Sequence, residues 1–425
     1  MIQQFKGTLT KDEYYAKIKE QKINNINCGK KLKKINTIHI DEESGNISTI
    51  FNHFGIKENR KYCAISNKDM GEISRILHPN TEKFRIYHDE KGDEFTQIVL
   101  DDLENTKIYD VDCLFVSPRA HCYSAGSYYY NDLSAKMNHI IHYVGKLIHS
   151  CDNPLTVVVE IAGDLKNLGN TTTIKAIFNK LGYNLYILPV VPEMFNLPIN
   201  QRRVVLVAIH NNLNFKSDYD YKKYQLDTIC DFQNFKFDDN LVANRFIFTD
   251  SYRDYCEKMK QRNNEKRAKS GKPPVNSYRP TIFDESKKVI PGQYSKYSHN
   301  TGSPTIVECQ NIKSKKYGKQ VRLLTPEEFG ILQGWPVEYL DMLRGICNDR
   351  ALYRAYLGGM CYTWLLSFFR EFLFNFVEFN GKLESDNFSK YIDDVMNNVR
   401  YKEHIKHKIS TNVRIGPCFQ GTTLW

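Results

Sequence analysis

The chain has 425 residues, 41% of them hydrophobic, and its formal net charge at pH 7 is +10. This length and composition exclude a disordered chain and are typical of a globular protein with one large and one smaller domain. The positive charge favours a polyanionic partner, and nucleic acid, whether DNA or RNA, is the commonest such partner.

The 11 cysteines are an odd number, scattered without CxxC pairs or clusters with histidine. This pattern predicts neither a disulfide framework nor a metal site. It fits a reducing intracellular compartment, and it does not distinguish cytoplasm from nucleus. No apolar run approaches the ~20 residues that span a bilayer, and the first residues lack the apolar core of a signal peptide, so we expect no membrane partner.

The first 36 residues are rich in lysine and asparagine, and one amphipathic stretch, Lys11 to Lys22, predicts a surface helix. From Thr37 onwards, apolar segments alternate with helical stretches, which is typical of βαβ units. Strands are predicted at Thr37 to Asp41, Lys61 to Ser66, Thr96 to Leu100, Cys113 to Val116, Leu155 to Ile161, Asn184 to Pro189 and Val204 to Ile209. Helices are predicted at Asn46 to Phe54 and at about 131 to 149 and 171 to 181. The alternation predicts an α/β fold with a doubly wound, mostly parallel sheet, whose ligands lie at the carboxyl ends of the strands.

Residues 211 to 320 break this alternation, because they are polar, aromatic and irregular. They include a basic segment with seven cationic side chains: Lys258, Lys260, Arg262, Lys266, Arg267, Lys269 and Lys272. Such a segment is either a solvated surface helix or a phosphate-binding face, because cations supply most of the non-specific affinity for nucleic acids.

The helical pattern returns at Thr325, where Thr325, Pro326 and Glu328 form the signature of a capping box. The apolar stretch from Arg350 to Phe376 predicts helices that pack back on the sheet. We therefore predict five parts. They are an N-terminal extension (1–36), an α/β domain (37–210), a small irregular domain with the basic segment (211–320), C-terminal helices that complete the α/β domain (321–380) and a basic tail (381–425).

Residues 111 to 127 predict a buried strand that runs into the turn Ser-Pro-Arg-Ala-His-Cys-Tyr-Ser-Ala-Gly-Ser. This layout resembles the active-site loop of cytosine-C5 methyltransferases, in which a strand leads into Pro-Cys-Gln, an aromatic residue, serine and glycine. Three further segments resemble that family in its own order: Leu-Pro-Ile-Asn-Gln-Arg-Arg at 197–203, Gly302 to Ile306 with Val321 to Pro336, and Arg354 to Met360. The short variable region at 294–303 is most similar to the tRNA-methylating branch.

The resemblance covers about residues 37 to 376. It implies the fold of S-adenosylmethionine-dependent methyltransferases, with residues 211–320 as a target-recognition-like domain. It also implies a cysteine thiolate that attacks C6 of a flipped cytosine. Here Ala120 stands in the place of that cysteine. Cys122, two residues on, is either a relocated nucleophile or a small half-buried residue of the usual kind.

The base-binding positions of the family are half retained. Glu160 matches the glutamate that binds the cytosine edge, but Ile161 replaces the asparagine that follows it. Arg203 matches the second arginine of the family's Pro-Gln-x-Arg-x-Arg segment, and Gln201 replaces the first.

The cofactor-binding positions are altered as well. Gly45 is the one glycine left in the turn after the first strand, where side chains would crowd S-adenosylmethionine. Asn67 stands where an acidic residue usually holds the ribose, and Asp69 matches a following acidic position. Asp102, after the predicted strand at 96–100, resembles the adenine-side aspartate, and Gly359 replaces the asparagine of the last motif.

These losses favour a catalytically degenerate methyltransferase-like protein, not an enzyme, that binds no cofactor. Such a protein would bind nucleic acid, a protein partner such as an active methyltransferase, or both. The alternative is an active cytosine-C5 methyltransferase on DNA or tRNA, with S-adenosylmethionine as cofactor and Cys122 or a partner's residue as nucleophile. A third hypothesis is a different function on the same scaffold.

Overall fold

A computed structural model describes residues 9–42, 46–87, 92–118, 133–162, 168, 170–195, 197–215, 232–274, 283, 287, 289–291, 306–335, 337–358 and 361–379. The chain divides into two compact units. The sheet unit comprises Met1–Val190, Arg202–Tyr221 and Trp364–Glu384, and the second unit comprises Val191–Gln201, Lys222–Thr363 and Ser385–Trp425. Residues 321–363 therefore group with the second unit, whereas the sequence led us to predict that they complete the α/β domain.

The strands, in chain order, are β1 (Ile35–Ile40), β2 (Glu58–Ile65), β3 (Phe84–Ile86), β4 (Cys113–Val116), β5 (Thr156–Ala162), β6 (Tyr183–Val190), β7 (Ile199–Asn200), β8 (Arg203–His210), β9 (Ile290–Pro291), β10 (Ile306–Ser314) and β11 (Gly318–Leu323). The helices are α1 (Lys11–Asn27), α2 (Asn46–His53), α3 (Lys68–Leu77), α4 (Gly92–Thr106), α5 (Leu133–Ser150), α6 (Thr171–Lys180), α7 (Asp250–Lys269), α8 (Pro326–Leu332), α9 (Val337–Ile346), α10 (Asp349–Gly358) and α11 (Tyr362–Phe372).

The sheet unit is built on seven strands in the order β3-β2-β1-β4-β5-β8-β6. The pairs from β3 to β5 are parallel, and β8 runs antiparallel to both of its neighbours, β5 and β6. The order turns back at β1, which is the switch point where doubly wound sheets place their ligands. The predicted doubly wound, mostly parallel α/β fold is confirmed.

The core of the sheet unit explains why its strands read as nearly continuous apolar runs. All four residues of β4 are buried, and so are the first seven of β8. Strands covered by helices on both faces need apolar side chains in both directions. One of the helices that cover the sheet is α11, whose Phe369 packs edge to face against Phe51 and Phe115, with ring centroids 5.1 and 6.4 Å away.

The predicted strand at Thr96 to Leu100 is wrong, because these residues lie inside helix α4. Phe95, Val99 and Leu103 recur at every fourth position and are at most 3% exposed. That spacing is the buried stripe of a helix and not the alternation of a strand. The third strand of the sheet is β3, a three-residue edge strand that the sequence did not indicate. The other predicted strands are confirmed to within a few residues.

Helix α1 extends the predicted surface helix to Asn27 and begins at a capping box formed by Thr10 and Glu13. It is anchored in the sheet unit at the amino ends of β4 and β5. Lys22 forms ion pairs with Asp110 and Asp112, at 2.5 and 2.7 Å. These contacts make α1 part of the folded unit and not a detached extension.

The second unit contains the antiparallel hairpin of β10 and β11 and the helices α7 to α10. The predicted capping box is confirmed, since the Thr325 hydroxyl accepts from the amide of Glu328, and the carboxylate of Glu328 accepts from the amide of Thr325. The fully buried Arg322 holds this corner together. It donates to Asp239 at 2.6 Å and to both carboxylate oxygens of Glu328 at 2.9 Å.

Candidate active site

The carboxyl ends of β1, β2, β4 and β5 form the edge of the sheet where a ligand would bind. The expected catalytic loop starts from this edge at Ser117 and Pro118, which directly follow β4. Ala120 and Cys122 lie outside the described residues. The described candidate residues lie at and after the ends of these strands.

Glu160, near the end of β5, and Arg203, the first residue of β8, form a buried ion pair at this edge. The Arg203 Nε donates to Glu160 Oε1 at 2.8 Å, and the Ser117 hydroxyl donates to Glu160 Oε2 at 3.1 Å. The pairing of β5 with β8 brings the two side chains together, because Arg203 lies opposite Ala162 in the antiparallel register. The structure thus unites two of the predicted catalytic residues with a serine that sequence reasoning did not single out.

The environment of Glu160 shifts the pKa of its carboxyl upwards. Burial raises this pKa, and the charge and hydrogen bonds of Arg203 and Ser117 only partly offset the shift. Glu160 is therefore easier to protonate than an exposed glutamate, and only a protonated carboxyl can donate a hydrogen bond as well as accept one.

The two replaced base-binding positions are engaged elsewhere. Ile161 is 1% exposed and belongs to the main hydrophobic core of the sheet unit. Gln201 lies in the second unit, where the side-chain amide of Gln333 donates to its oxygen at 3.4 Å. Ile161 therefore supplies no polar side chain in the place of the family's asparagine.

Asp41 ties the ends of the first two strands together. It directly follows β1 with a left-handed backbone (φ 56°), a conformation that aspartate tolerates better than most residues. Its Oδ1 accepts from the backbone amide of Ser66 at 2.9 Å and from the Ser66 hydroxyl.

The turn after Asp41 contains a buried carboxylate that sequence reasoning did not single out. Glu42 is 6% exposed, and its Oε1 accepts from the backbone amide of Ile47, in the first turn of α2, at 2.6 Å. The N-terminus of the helix after the first strand is the place where nucleotide-type ligands of doubly wound sheets find amide donors. Here the chain's own carboxylate takes that donor.

Glu42 belongs to a buried charge cluster beneath the turn, which we define as His39, Glu42, Glu58 and Arg60. Arg60 Nη2 donates to Glu42 Oε2 at 3.3 Å, and His39 Nδ1 lies 3.1 Å from the same oxygen. His39 Nε2 lies 2.7 Å from Glu58 Oε1. The cluster fixes the first turn to both β1 and β2.

The charge cluster keeps its carboxylates ionised. Burial alone would raise the pKa of Glu58, but the charges of His39 and Arg60 and hydrogen bonds from His39 and Thr37 hold it at about 2. The pKa of Glu42 is also lowered, because the same two cationic groups and the amide of Ile47 outweigh its burial. The sequence carries only a weak signal for this cluster, because Thr37 and His39 alternate with apolar residues in β1, whereas Glu58 and Arg60 lie in a run of four polar residues in β2.

The expected ribose-binding position is held by a helix cap. Asn67 directly follows Ser66, and its side-chain oxygen accepts from the backbone amide of Met70 at 3.2 Å at the start of α3. An amide in this position supplies no carboxylate for a ribose. Asp69 lies in the first turn of the same helix, where its charge favours the helix dipole.

Asp102 is not an adenine-side residue at a strand end, because it lies on helix α4. It accepts hydrogen bonds from Tyr62 at 2.9 Å, from Lys83 at 2.8 Å and from Arg85 at 3.3 Å. Burial opposes its ionisation, but these three donors lower its pKa. Asp102 therefore connects α4 to the outer strands of the sheet.

Three described positions at this edge differ from what the resemblance implies for a site that holds S-adenosylmethionine. An internal carboxylate is bonded to the first turn of α2, an asparagine stands at the ribose position, and the expected adenine-side aspartate is paired within the sheet unit. Gly45 and Gly359 lie outside the described residues. The described part of the chain also contains no group of three or more His, Cys, Asp or Glu side chains able to hold a metal ion.

Three buried cysteines of the sheet unit, Cys63, Cys113 and Cys151, are poor candidates for a nucleophile. Burial raises the pKa of Cys63 to about 12 and also raises the pKa of Cys113 and Cys151. Since the thiolate is the reactive form, these thiols are inert near neutral pH.

Six residues of the predicted basic segment lie on helix α7, and Lys272 follows the end of that helix. Lys260 and Arg267 are half-buried, whereas the others are exposed. No described helix is both long and apolar enough to cross a membrane.

The comparisons with known proteins agree with this architecture. The family model for C-5 cytosine-specific DNA methylase matches residues 80–342. The structure of the S. pombe Dnmt2 methyltransferase is similar with a TM-score of 0.54 and 14% identity, over 80% of this chain and 98% of its own. The Entamoeba histolytica methyltransferase EhMeth gives a TM-score of 0.53 and 15% identity, over 80% and 98%. No match was found among curated proteins. Two structural neighbours at such low identity show the fold alone, but the family model covers more than half of the residues, and the chain therefore belongs to the C-5 cytosine-specific DNA methylase family.

Proposed function

We propose that this chain is a catalytically degenerate member of its family, which keeps the fold and binds nucleic acid without binding S-adenosylmethionine or transferring a methyl group. One observation carries the proposal. The Glu42 carboxylate is bonded to the amide of Ile47 and fixed by Arg60, so a side chain of the protein itself occupies an amide donor of the helix N-terminus at the expected cofactor edge.

Three further observations support the loss of catalysis. Ala120 replaces the nucleophile, and Asn67 caps a helix at the position where the family holds the ribose. The family-model match starts at residue 80 and ends at residue 342. It therefore includes neither the first turn nor the last motif, which are the segments that hold the cofactor in the family.

The retained features support continued contact with nucleic acid. The pair of Glu160 and Arg203 lies at the sheet edge where the family binds its target base. The exposed cations of α7 provide the positive surface that a phosphate backbone requires. A protein of this kind could act as a regulatory partner of an active methyltransferase, to which it would bring bound nucleic acid.

The second candidate function is an active cytosine-C5 methyltransferase that uses Cys122. The geometry of Glu160 favours it, because this buried carboxyl lies at the sheet edge, is held by Arg203 and Ser117, and has a pKa that burial raises. In that case Arg203 and Ser117 would orient the carboxyl, and Cys122 would supply the thiolate.

Transfer of a labelled methyl group to DNA and to tRNA tests the two candidates, with wild type and Cys122→Ala measured side by side. The proposed function predicts no transfer above background for either protein. Transfer by wild type that is lost in Cys122→Ala would overturn the proposal and establish the second candidate. Methyl transfer that persists in Cys122→Ala would overturn both the proposal of a catalytically degenerate protein and the hypothesis that Cys122 is the nucleophile.

A further inference from the structure

Helix α7 divides its cations between two faces. Four of them recur at spacings of four, four and three residues, which places them in one row along the helix. We define this row as the outer stripe: Lys258, Arg262, Lys266 and Lys269. All four side chains are exposed. Arg262, Lys266 and Lys269 form no ion pair within the described part of the chain.

The first turns of α7 are attached to the β10–β11 hairpin. Asp250 accepts from the Ser314 hydroxyl at 2.6 Å, and Asp254 accepts from Lys316 at 2.6 Å. The guanidinium of Arg253 lies 3.9 Å from the centre of the Tyr317 ring. These contacts engage Asp250 and Asp254 near the start of the helix and fix that part of α7 to the hairpin.

An aromatic ring continues the outer stripe towards the start of the helix. Tyr255 precedes Lys258 by three residues and is 57% exposed. Only Ile76 and Met342 are comparably exposed among the large hydrophobic residues that the structure describes. From Tyr255 to Lys269 the row extends over about 21 Å at the rise of an α-helix.

We propose that the outer stripe and Tyr255 form a track for single-stranded nucleic acid, in which the cations contact successive phosphates and the tyrosine stacks on a base. The proposal rests on the proposed function, because it assigns the nucleic-acid contact to one face of one helix. An exposed ring beside a row of cations suits a single strand, whose bases are free to stack on protein, better than a duplex, whose bases already stack on each other. Of the acidic side chains near the stripe, Glu265 accepts a hydrogen bond from Gln261 at 3.2 Å, and Asp254, one turn before Lys258, accepts one from Lys316 at 2.6 Å.

Fluorescence anisotropy of the full chain with labelled oligo(dT), oligo(U) and a duplex of equal length measures this binding. We expect the single strands to bind more tightly than the duplex, with an affinity that falls steeply with salt. In Arg262→Gln/Lys266→Gln, the slope of log affinity against log salt becomes less negative by about 1.4, at about 0.7 for each lost phosphate contact.

Lys30→Gln/Lys33→Gln removes the same charge from two exposed positions between α1 and β1 and serves as the matched control. We expect this variant to keep the wild-type slope. Equal slope changes in the two double variants would show a general charge effect and would overturn the proposed track.

Tyr255→Ala tests the stacking contact. We expect it to weaken single-strand binding about 5-fold or more without changing the salt slope, whereas Tyr255→Phe keeps the ring and the affinity. An unchanged affinity in Tyr255→Ala, or a duplex that binds as tightly as the single strands, would overturn the single-strand assignment. So would a labelled poly-glutamate peptide that binds equally well through the same residues.

These outcomes separate the track from the proposed function. Nucleic-acid binding that is indifferent to the outer stripe and to Tyr255 would refute the track and leave the proposed function standing. A full chain that binds neither single strands nor duplex would refute the track together with the nucleic-acid part of the proposed function. The methyl-transfer result is independent of both.

Discussion

The buried charge cluster makes the stability of the chain depend on pH through Glu58. The folded-state pKa of Glu58 is about 2, against an ordinary value of 4.5. A shift of this size corresponds to about 3 kcal/mol of stability, at ~1.4 kcal/mol for each pKa unit. Because the folded pKa is the lower one, this stability is fully present above about pH 4.5 and is lost as the pH falls towards 2. At pH 3, about 2 kcal/mol of it is already gone.

Urea unfolding of wild type and Glu58→Gln at pH 6 and pH 3, followed by circular dichroism, measures this contribution. The glutamine variant cannot titrate, so the difference in unfolding free energy between the two proteins should shrink by about 2 kcal/mol from pH 6 to pH 3. Glu104→Gln removes an exposed carboxylate on α4 and should show no such change between the two pH values. A difference between wild type and Glu58→Gln that stays constant would refute the assignment of Glu58 to an ionised buried cluster.

Two further predictions concern buried residues. Ile161→Asn restores the asparagine of the family but places an amide in the main core. It should lower the free energy of unfolding by about 3 kcal/mol or more, against about 1 kcal/mol for Ile161→Val, and it should restore no methyl transfer. A well-folded Ile161→Asn protein would contradict the burial of this side chain. Arg322→Met leaves the carboxylates of Asp239 and Glu328 buried without their cation. It should lower the free energy of unfolding, measured with urea at pH 7, by about 3–5 kcal/mol. A decrease below about 1 kcal/mol would contradict the buried ion network.

The sequence was sufficient to predict the fold class, because long apolar segments that alternate regularly with helical stretches are compatible with few other folds. The prediction of secondary structure was wrong at α4, because residues Thr96 to Leu100 resemble a strand when they are considered alone. The stripe of Phe95, Val99 and Leu103 becomes visible only in a longer window. That error also misplaced Asp102, whose true partners, such as Lys83, come from other strands and cannot be identified from local sequence.

The candidate site was predicted in part for a similar reason. Glu160 and Arg203 follow from motifs on two strands, and the structure brings them together through the register of β5 and β8. The role of Glu42 could not be predicted, because it depends on Arg60 and on His39 from different strands. Contacts between side chains from distant parts of the chain leave little signal in the local sequence.

The binding of S-adenosylmethionine to the full chain tests the central claim most directly. Isothermal titration calorimetry should detect no binding at submillimolar cofactor, because Glu42 already occupies an amide donor of the helix N-terminus at the expected cofactor edge. The same cofactor stock titrated into an active cytosine-C5 methyltransferase provides the positive control. A micromolar dissociation constant for this chain would contradict the account and make the active enzyme the better conclusion.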